Sequence, residues 1–312
     1  MTVTGSTPMS GGRDARGTIV VSACGKSHQG RVRKDNQDRL LVADLAADLA
    51  GVQAEASVGD SVGPRSFELG AEGAILLVAD GMGGRAAGGT ASGLAVTSIH
   101  EAMRNGHPGD AEAPPHDFVL RLRTALEGAN RTIREESVRD DRLRGMGTTA
   151  TLAGILDDVV YLVQVGDSRA YLVRNGDVVR LTRDQSLVQD MIDSGVLTED
   201  DAQNVRNNMI LQALGARSSV RPAVTFHELR RDDVLLLCSD GLSQLVGDHE
   251  LRDVVSGTAD CCDVCDELIG MANERGGPDN VTVLVARVTG EGLARPGEAD
   301  RVASRPYDLT ER

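Results

Sequence analysis

The sequence predicts an α+β fold in which antiparallel strands are covered by helices. Short apolar runs of strand length recur along the chain and are bounded by turn residues, as at 74–79, 159–165 and 234–238. These runs are rich in β-branched residues and leucine, which is typical of buried strands. The dipeptide Asn175-Gly176 separates two further runs, and it favours a tight hairpin and therefore antiparallel pairing. Segments with helical spacing lie between the strands, so helices can cover the sheet faces.

Predicted strands and helices alternate along most of the chain. The strand-like runs are, in chain order, 18–23, 74–79, 149–155, 159–165, 170–174, 178–182, 234–238 and 281–288. Apolar residues recur at helical spacing in three segments, which start near Ala91, Val119 and Asp260. The third segment ends at Gly276-Gly277, a pair typical of helix C-termini. We therefore expect these three helices to pack on the sheets.

A single domain over 18–289 is expected to account for most of the 312 residues. Residues 1–17 are rich in Gly, Ser and Thr and predict a flexible leader, and residues 290–312 predict a flexible tail. Weak periodicity together with Gly, Ser and Pro marks 44–73 as an insertion, either a hairpin extension or a disordered loop. The proline-rich stretch 105–117 is expected to link two helices at the surface.

The composition disfavours several functional classes. With 33 basic and 47 acidic residues the formal net charge is −14, which argues against nucleic acids and anionic membranes as partners. Aromatic residues make up 2% and Trp is absent, so stacking platforms for bases are excluded. No apolar run reaches the length of a membrane span, and the N-terminus lacks the apolar segment of a secretory signal. A cytoplasmic protein is therefore the simplest expectation.

The chain contains five cysteines: Cys24, Cys238, Cys261, Cys262 and Cys265. We expect reduced thiols, because the number is odd and the chain is too large to depend on a disulfide framework. Cys261 and Cys265 fall on the apolar stripe of the third helix, where Cys acts as a small hydrophobic residue. Three cysteines without a fourth ligand nearby make a poor zinc site. Cys238 precedes a polar turn and is a candidate redox-sensitive thiol.

Five aspartates lie beside predicted strands or turns: Asp38, Asp80, Asp167, Asp240 and Asp279. Three of them come directly after apolar strands, and each alone is an ordinary turn residue. Carboxylates at strand ends are held at the edge of a sheet, and several that converge would repel one another unless cations neutralised them. Oxygen ligands favour Mg²⁺ or Mn²⁺ over Zn²⁺, and none of the six His residues falls in these motifs. Together the aspartates predict a site for hard divalent cations.

Gly81, Gly83 and Gly84 follow Asp80 and give the backbone room to approach an ion, so that a carbonyl can serve as a ligand. The alternative is a plain glycine-rich turn before a helix. The segment lacks the Lys-Ser/Thr ending of a nucleotide-binding P-loop and the Gly-x-Gly-x-x-Gly spacing. Nucleotide binding is therefore disfavoured.

These motifs, in this order, resemble those of the metal-dependent Ser/Thr protein phosphatases of the PPM (type 2C) family in its bacterial form. The motifs that carry the resemblance lie at 33–38, 79–84, 147–149, 165–169, 238–242 and 276–282. The resemblance spans about 18–288 and implies a four-layer α/β/β/α sandwich of two antiparallel sheets flanked by helices. It also implies a centre of two Mn²⁺ or Mg²⁺ ions at one end of the sandwich, with a third, weaker ion beside it.

The same resemblance assigns metal ligands residue by residue. Asp80 is expected to bridge the two ions, and the carbonyl of Gly81 to bind the second ion. Asp240 and Asp279 are expected to hold the first ion, and Asp38 to act near the second ion through bound water.

The remaining site residues follow from the same resemblance. Asp167, together with Asp240, is the expected ligand of the third ion. Arg33 is expected to bind the substrate phosphate, and Asn280 and Gln37 to support the ligands from behind.

The implied reaction is hydrolysis of phosphoserine and phosphothreonine by direct attack of a water or hydroxide that bridges the metals. Asp80, Asp240, Asp279 and Arg33 are the expected catalytic residues. The implied partners are phosphorylated proteins, among them a Ser/Thr kinase that the enzyme opposes. Two alternatives are a pseudophosphatase that binds phosphoproteins without turnover and a hydrolase of another small phosphoester.

Two positions depart from the pattern of eukaryotic members of the family. Met82 stands where those members carry a His proposed as general acid, so a metal-bound water is the expected proton donor. Gln37 stands where many members have Glu. Residues 182–215 resemble the bacterial flap, which is either a substrate selector or a mobile surface subdomain without a selective role.

Overall fold

The computed structural model describes residues 17–46, 61–84, 87–105, 115–198, 201, 209–297, 300–302 and 305–309. Its helices are α1 (Ala87–Asn105), α2 (Pro115–Arg139), α3 (Leu187–Asp193), α4 (Asp240–Ser243), α5 (Asp248–Gly257) and α6 (Cys261–Glu274). Its strands are β1 (Val20–His28), β2 (Asp38–Asp44), β3 (Ser61–Glu68), β4 (Ala74–Met82), β5 (Gly147–Thr148), β6 (Ala150–Leu156), β7 (Val159–Val165), β8 (Arg169–Arg174), β9 (Asp177–Arg180), β10 (Ala223–Glu228), β11 (Val234–Cys238), β12 (Val281–Thr289) and β13 (Arg305–Pro306).

The strands form two antiparallel sheets that pack face to face. The first sheet has the order β3-β1-β12-β11-β8-β9, and the second has the order β13-β10-β7-β6-β4-β2, with β5 paired to β4. Helices α1 and α2 cover the second sheet, and α5 and α6 cover the first. The predicted α+β class and the four-layer α/β/β/α sandwich are confirmed.

Strand β4 shows why the apolar runs lack alternation. Ile75 and Leu77 point into the core under α1 and α2, while Leu76 and Val78 point into the core between the sheets. A strand that is buried on both faces needs apolar residues at every position. The helices read differently, because only one stripe of each is buried; in α1 this stripe includes Ala91 and Ile99, as predicted.

The C-terminal segment differs from the flexible tail expected over 290–312. Leu293 is buried, and β13 adds an edge strand to β10. Tyr307 packs edge-on against Tyr161 and Phe226, with ring centroids 5.8 Å apart in both pairs. Polar and glycine-rich composition predicted flexibility, but one buried aromatic ring and a short strand hold the described part of this segment on the sandwich.

The expected insertion at 44–73 is described only in part, since residues 47–60 lie outside the described residues. Its second half forms β3, which pairs with β1 at the edge of the first sheet. Residues 1–16 of the expected leader and 106–114 of the expected helix linker also lie outside the described residues. Among the described helices, none combines the length and apolarity that crossing a membrane requires.

One covalent cross-link contradicts the expectation that the cysteines are reduced. Cys24 in β1 and Cys262 in the first turn of α6 form a disulfide, with their Cα atoms 5.2 Å apart. The two residues are 238 positions apart, so no local pattern could reveal the pair. Cys265 is a buried free thiol and Cys261 a partly buried one, in line with their expected role as small hydrophobic residues. Cys238 is a fully buried free thiol, and burial raises its pKa to about 12, which disfavours the redox-sensitive role expected for it.

Candidate active site

The predicted aspartates meet at one end of the sandwich. Asp38 begins β2 and Asp80 lies near the end of β4, and the two are direct partners in the antiparallel register. Asp167 follows β7 after one residue, Asp240 is the first residue of α4, and Asp279 comes two residues before β12. Their charges act on one another: those of Asp38, Asp167, Asp240 and Asp279 all raise the pKa of Asp80.

A hydrogen bond between the two sheets fixes Asp38. The hydroxyl of Thr282 in β12 donates to Asp38 Oδ2 over 2.7 Å, and the backbone N–H of Thr282 donates to Ser239 Oγ over 2.9 Å. Asp38 therefore joins the second sheet to the first at the site. No role was predicted for Thr282; its place in the motif at 276–282 was the only signal.

Burial makes simultaneous ionisation of these carboxyl groups energetically unfavourable. It raises the pKa of Asp38 to about 7, against the opposing hydrogen bonds from Thr282 and Ser239. Burial and the Asp240 charge raise the pKa of Asp167 to about 7. Burial and the Asp279 charge raise the pKa of Asp240 to about 6, and burial raises that of Asp80 well above its usual value.

The chemistry of these residues fits divalent cations. Asp38 Oδ1 and Asp167 Oδ1 are buried and have no hydrogen-bond partner among the described residues. Carboxylate oxygens are the donors that Mg²⁺ and Mn²⁺ prefer, and a cation would neutralise the mutual repulsion. Across the described ranges, no three His, Cys, Asp or Glu side chains already surround a point that could hold an ion. Two other carboxylates of the cluster have side-chain partners: Arg33 donates to Asp279 and Gln244 donates to Asp240.

Gly81 is required by close packing of the backbone. A Cβ at this position would lie 2.2 Å from the carbonyl oxygen of Gly88 and 2.5 Å from that of Gln37. Thus the end of β4, the first turn of α1 and the residue before Asp38 are in direct backbone contact. Met82 follows as the last residue of β4 and offers no proton donor.

Arg33 lies at the mouth of the site. Its Nη2 donates to Asp279 Oδ2 over 2.6 Å, and 56% of the side chain is exposed. Hydrogen bonding to Asp279 and the negative charges around it raise the pKa of Arg33. The guanidinium is therefore a permanent cation that faces both the acidic cluster and the solvent.

Asn280 organises the loop that carries Arg33. Its Oδ1 accepts from the backbone N–H of Gln37 over 2.9 Å. Its Nδ2 donates to the carbonyls of Gln29 and Asp35, both over 2.9 Å. The side chain thus closes the loop between β1 and β2; the supporting role expected for Asn280 behind the ligands stays a prediction.

The base of the expected flap is hydrogen-bonded to the turn that carries Asp167. The N–H of Gly166 donates to Gln185 Oε1 over 2.9 Å, and the N–H of Gln185 donates back to the Gly166 carbonyl over 3.0 Å. Arg169 forms a two-pronged ion pair with Asp184, with contacts of 3.0 and 2.7 Å. Sequence reasoning missed these contacts, because Gln185 and Asp184 carried no motif beyond their place in the flap.

Comparisons with known proteins assign the family. The model of the family described as Protein phosphatase 2C matches residues 52–275. The serine/threonine protein phosphatase PstP of Mycobacterium tuberculosis is 33% identical over 275 residues, which are 88% of this chain and 46% of that protein. The serine/threonine phosphatase stp of Listeria welshimeri is 36% identical over 212 residues, which are 68% of this chain and 83% of that protein.

A solved structure agrees with these relatives. The catalytic domain of PstP in complex with two manganese ions has a TM-score of 0.69 and 32% identity, and the match covers 87% of this chain and 100% of that one. The chain belongs to the protein phosphatase 2C family, and the predicted family is confirmed. It spans about half the length of the M. tuberculosis relatives.

The acidic cluster predicts how the stability of the cation-free protein depends on pH. Its carboxyl groups bind protons more tightly in the folded protein than in the unfolded chain, where the pKa of Asp is about 4. Their stabilising contribution is therefore complete below about pH 4 and is lost as the pH rises to about 7. We expect the melting temperature of chelator-treated protein to fall between pH 5 and pH 8.

The variant Asp38→Asn isolates this effect, because Asn retains an oxygen that accepts from Thr282. Without cations at pH 8 it should melt about 5 °C above the original protein, and at pH 4.5 the difference should be smaller. Scanning calorimetry measures both values. Equal melting temperatures at pH 8 would show that the buried carboxyl of Asp38 does not destabilise the cation-free protein.

Proposed function

We propose that this chain is a metal-dependent protein serine/threonine phosphatase that uses Mn²⁺ or Mg²⁺. The observation that carries the proposal is the buried group of carboxylates with unsatisfied oxygens, which lies directly behind an arginine at the mouth of the site. Membership of the protein phosphatase 2C family supports it, as does the manganese-bound PstP relative.

Five aspartate side chains and one backbone carbonyl would hold the metal ions in this proposal. Two ions would lower the pKa of a bound water and offset the charge of the phosphoryl group. Asp80, Asp240 and Asp279 would hold the first ion, and Asp80, Asp38 and the Gly81 carbonyl would hold the second. Asp167, together with Asp240, would hold a weaker third ion.

Arg33 has two partners in this proposal. Its planar fork would donate two parallel hydrogen bonds to the phosphoryl oxygens of the substrate. Asp279 orients the same guanidinium through the 2.6 Å contact, so the residue that binds the phosphate is held by one of the proposed ligands. Met82 cannot supply a proton to the leaving alkoxide, so water bound in the site is the expected donor.

The proposed substrates are proteins phosphorylated on Ser or Thr, including a Ser/Thr kinase that the enzyme opposes. The test is hydrolysis of a phosphothreonine peptide with Mn²⁺, with Mg²⁺ and with a chelator, beside a nucleotide and a sugar phosphate. Turnover of the peptide only when a metal is present is the expected result. Mn²⁺ binding in a calorimeter without turnover of any substrate would favour a phosphoprotein-binding module. Faster turnover of a small phosphoester would reassign the substrate class. The cytoplasmic location and a selective flap stay predictions.

Replacing Arg33 tests the assigned phosphate site. We expect Arg33→Ala to lower kcat/KM for the phosphothreonine peptide about 50-fold, mainly through KM, because two charge-assisted hydrogen bonds are lost. For Arg33→Lys we expect a kcat/KM between those of the original protein and Arg33→Ala, because lysine keeps the positive charge but lacks the planar guanidinium. Steady-state kinetics separates these effects.

Mn²⁺ titration supplies the control for this variant. Arg33→Ala frees Asp279 from its ion pair, so Mn²⁺ should bind at least as tightly as in the original protein. A variant with unchanged KM and weakened Mn²⁺ binding would contradict the assignment of Arg33 to the substrate.

A further inference from the structure

Strand β1 and helix α6 run side by side toward the acidic cluster. At their starts, Cys261 Sγ lies 3.4 Å from the carbonyl oxygen of Ser22. At their ends, Asn273 Nδ2 lies 3.4 Å from His28 Nδ1. An ion pair between Lys26 and Asp266 lies between these two contacts. The two elements therefore point in the same direction.

Both elements continue into loops that carry site residues. The backbone N–H of Arg31, after β1, donates to the carbonyl of Gly277, after α6, over 2.7 Å. Two residues further along each loop, Arg33 donates to Asp279 over 2.6 Å. A continuous row of contacts thus leads from the start of α6 to the mouth of the site.

The Cys24–Cys262 disulfide is the covalent member of this row. Cys24 is fully buried in the middle of β1, while Cys262 is half-buried in the first turn of α6. Cys265 Sγ lies 3.5 Å from the Cys24 carbonyl, and burial raises the pKa of its thiol to about 12. Burial also raises the pKa of Cys261. Both neighbouring thiols therefore stay protonated and react poorly with the disulfide, so Cys24 remains paired with Cys262.

We propose that Cys24 and Cys262 form a redox modification site that a dithiol reductant opens, and that its state sets how firmly the Arg33 and Asp279 loops are held. The reductant attacks the disulfide at the sulfur of Cys262, because solvent reaches only this end of the bond. The S–S bond breaks, and Cys24 and Cys262 each gain one electron and one proton. The two thiols of the reductant lose the same electrons and protons and join in a disulfide.

This proposal follows from where the bond lies. The bond joins the two elements that lead into the loops of Arg33 and Asp279, and its Cys262 end is the half-buried one, where a reductant can reach it. Once the bond opens, only non-covalent contacts hold α6 against β1: the apolar packing of α6 on the first sheet, the Lys26–Asp266 ion pair and the Asn273–His28 contact. The part that concerns Mn²⁺ affinity rests on the proposed function.

The experiment compares untreated protein with protein reduced by dithiothreitol and desalted without oxygen. Alkylation in denaturant followed by mass spectrometry should label three cysteines before reduction and five after it, since two of the five form the disulfide. At 25 °C the reduced protein should bind Mn²⁺ about 5- to 20-fold more weakly by calorimetry. Hydrogen exchange should become faster at 29–36 and 275–280 and stay unchanged in β6 and β7. Reoxidation should restore both properties.

Two variants complete the test. The double variant Cys24→Ala/Cys262→Ala should behave as the reduced protein does and ignore the reductant. Cys261→Ala removes a free thiol from the same helical turn and should keep the full response.

Three results would overturn the proposal. The first is five labelled cysteines before reduction. The second is unchanged Mn²⁺ affinity and unchanged loop exchange after reduction, and the third is global unfolding of the reduced protein at 25 °C, which would make the bond a structural cross-link only. If Mn²⁺ binds in neither state, the proposed function fails, and the loop exchange alone decides the redox proposal.

Discussion

Asp80→Asn is expected to lower Mn²⁺-dependent hydrolysis of a phosphothreonine peptide about 1,000-fold or more. Asp80 is the proposed bridge between the two ions, and the charges of the other four aspartates of the cluster all raise its pKa. An amide in its place would lack the negative charge that holds the cations, so the chain would lose the metal that is proposed to activate water. Initial rates at saturating Mn²⁺ measure the effect.

Folding of this variant should be intact. The backbone N–H of Asp80 donates to Thr149 Oγ1 over 2.9 Å, and this contact does not involve the side chain. Removing a buried carboxyl should also raise the stability of the cation-free protein at neutral pH. Asp177→Asn, at an exposed position in the β8–β9 hairpin, serves as the matched control and should retain full activity. If Asp80→Asn kept more than a tenth of the original rate, the assignment of the bridging ligand would be wrong.

The second large effect is expected far from the site, at a buried ion pair. Arg174 donates to both carboxylate oxygens of Asp233, with contacts of 2.8 and 2.7 Å, and to the carbonyl of Glu228 over 2.8 Å. The two side chains are 6% and 0% exposed. Arg174→Met should lower the free energy of unfolding by about 3–5 kcal/mol, because it leaves the Asp233 carboxylate buried without its counter-charge.

Denaturant unfolding followed by circular dichroism measures this loss. In the double variant Arg174→Met/Asp233→Leu the isolated charge is gone, so much of the stability should return. Arg252→Met breaks an exposed ion pair with Asp253 and should leave the midpoint nearly unchanged. A loss of under about 1 kcal/mol for Arg174→Met would show that water or another group neutralises Asp233.

Local patterns predicted most of the fold. The apolar runs, the hairpin at Asn175-Gly176 and the helical stripes depend on neighbours within one element, and the structure confirms each of them. Which strands pair depends on contacts between distant segments, and the two-sheet architecture was implied only by the resemblance. Tyr307 shows the limit, because the partners that bury it, Tyr161 and Phe226, are far away in the sequence.

The candidate site shows the same division. All five predicted aspartates meet, since each lies beside the end of a strand and the strand ends share one edge of the sandwich. The contacts that hold them were not predicted: the hydroxyl of Thr282 on Asp38 and the amide of Gln185 on Gly166. Serine, threonine and glutamine are common at many positions, so their roles become visible only when their neighbours in space are known.

The aromatic cluster around Tyr307 contributes much of the optical signal of this protein. The chain has no Trp, three Tyr and three Phe, and Phe118, Tyr161, Phe226 and Tyr307 lie in a single group. Near-ultraviolet circular dichroism and tyrosine emission therefore monitor two places, the attachment of Tyr307 to the second sheet and the surroundings of Tyr171, which is buried under the helices of the first sheet. The acidic cluster itself contains no such chromophore, and Tyr171 is linked to it through Arg169, whose charge acts on Asp167. A change in tyrosine emission on addition of a cation would therefore report on Tyr171 rather than on the C-terminal strand.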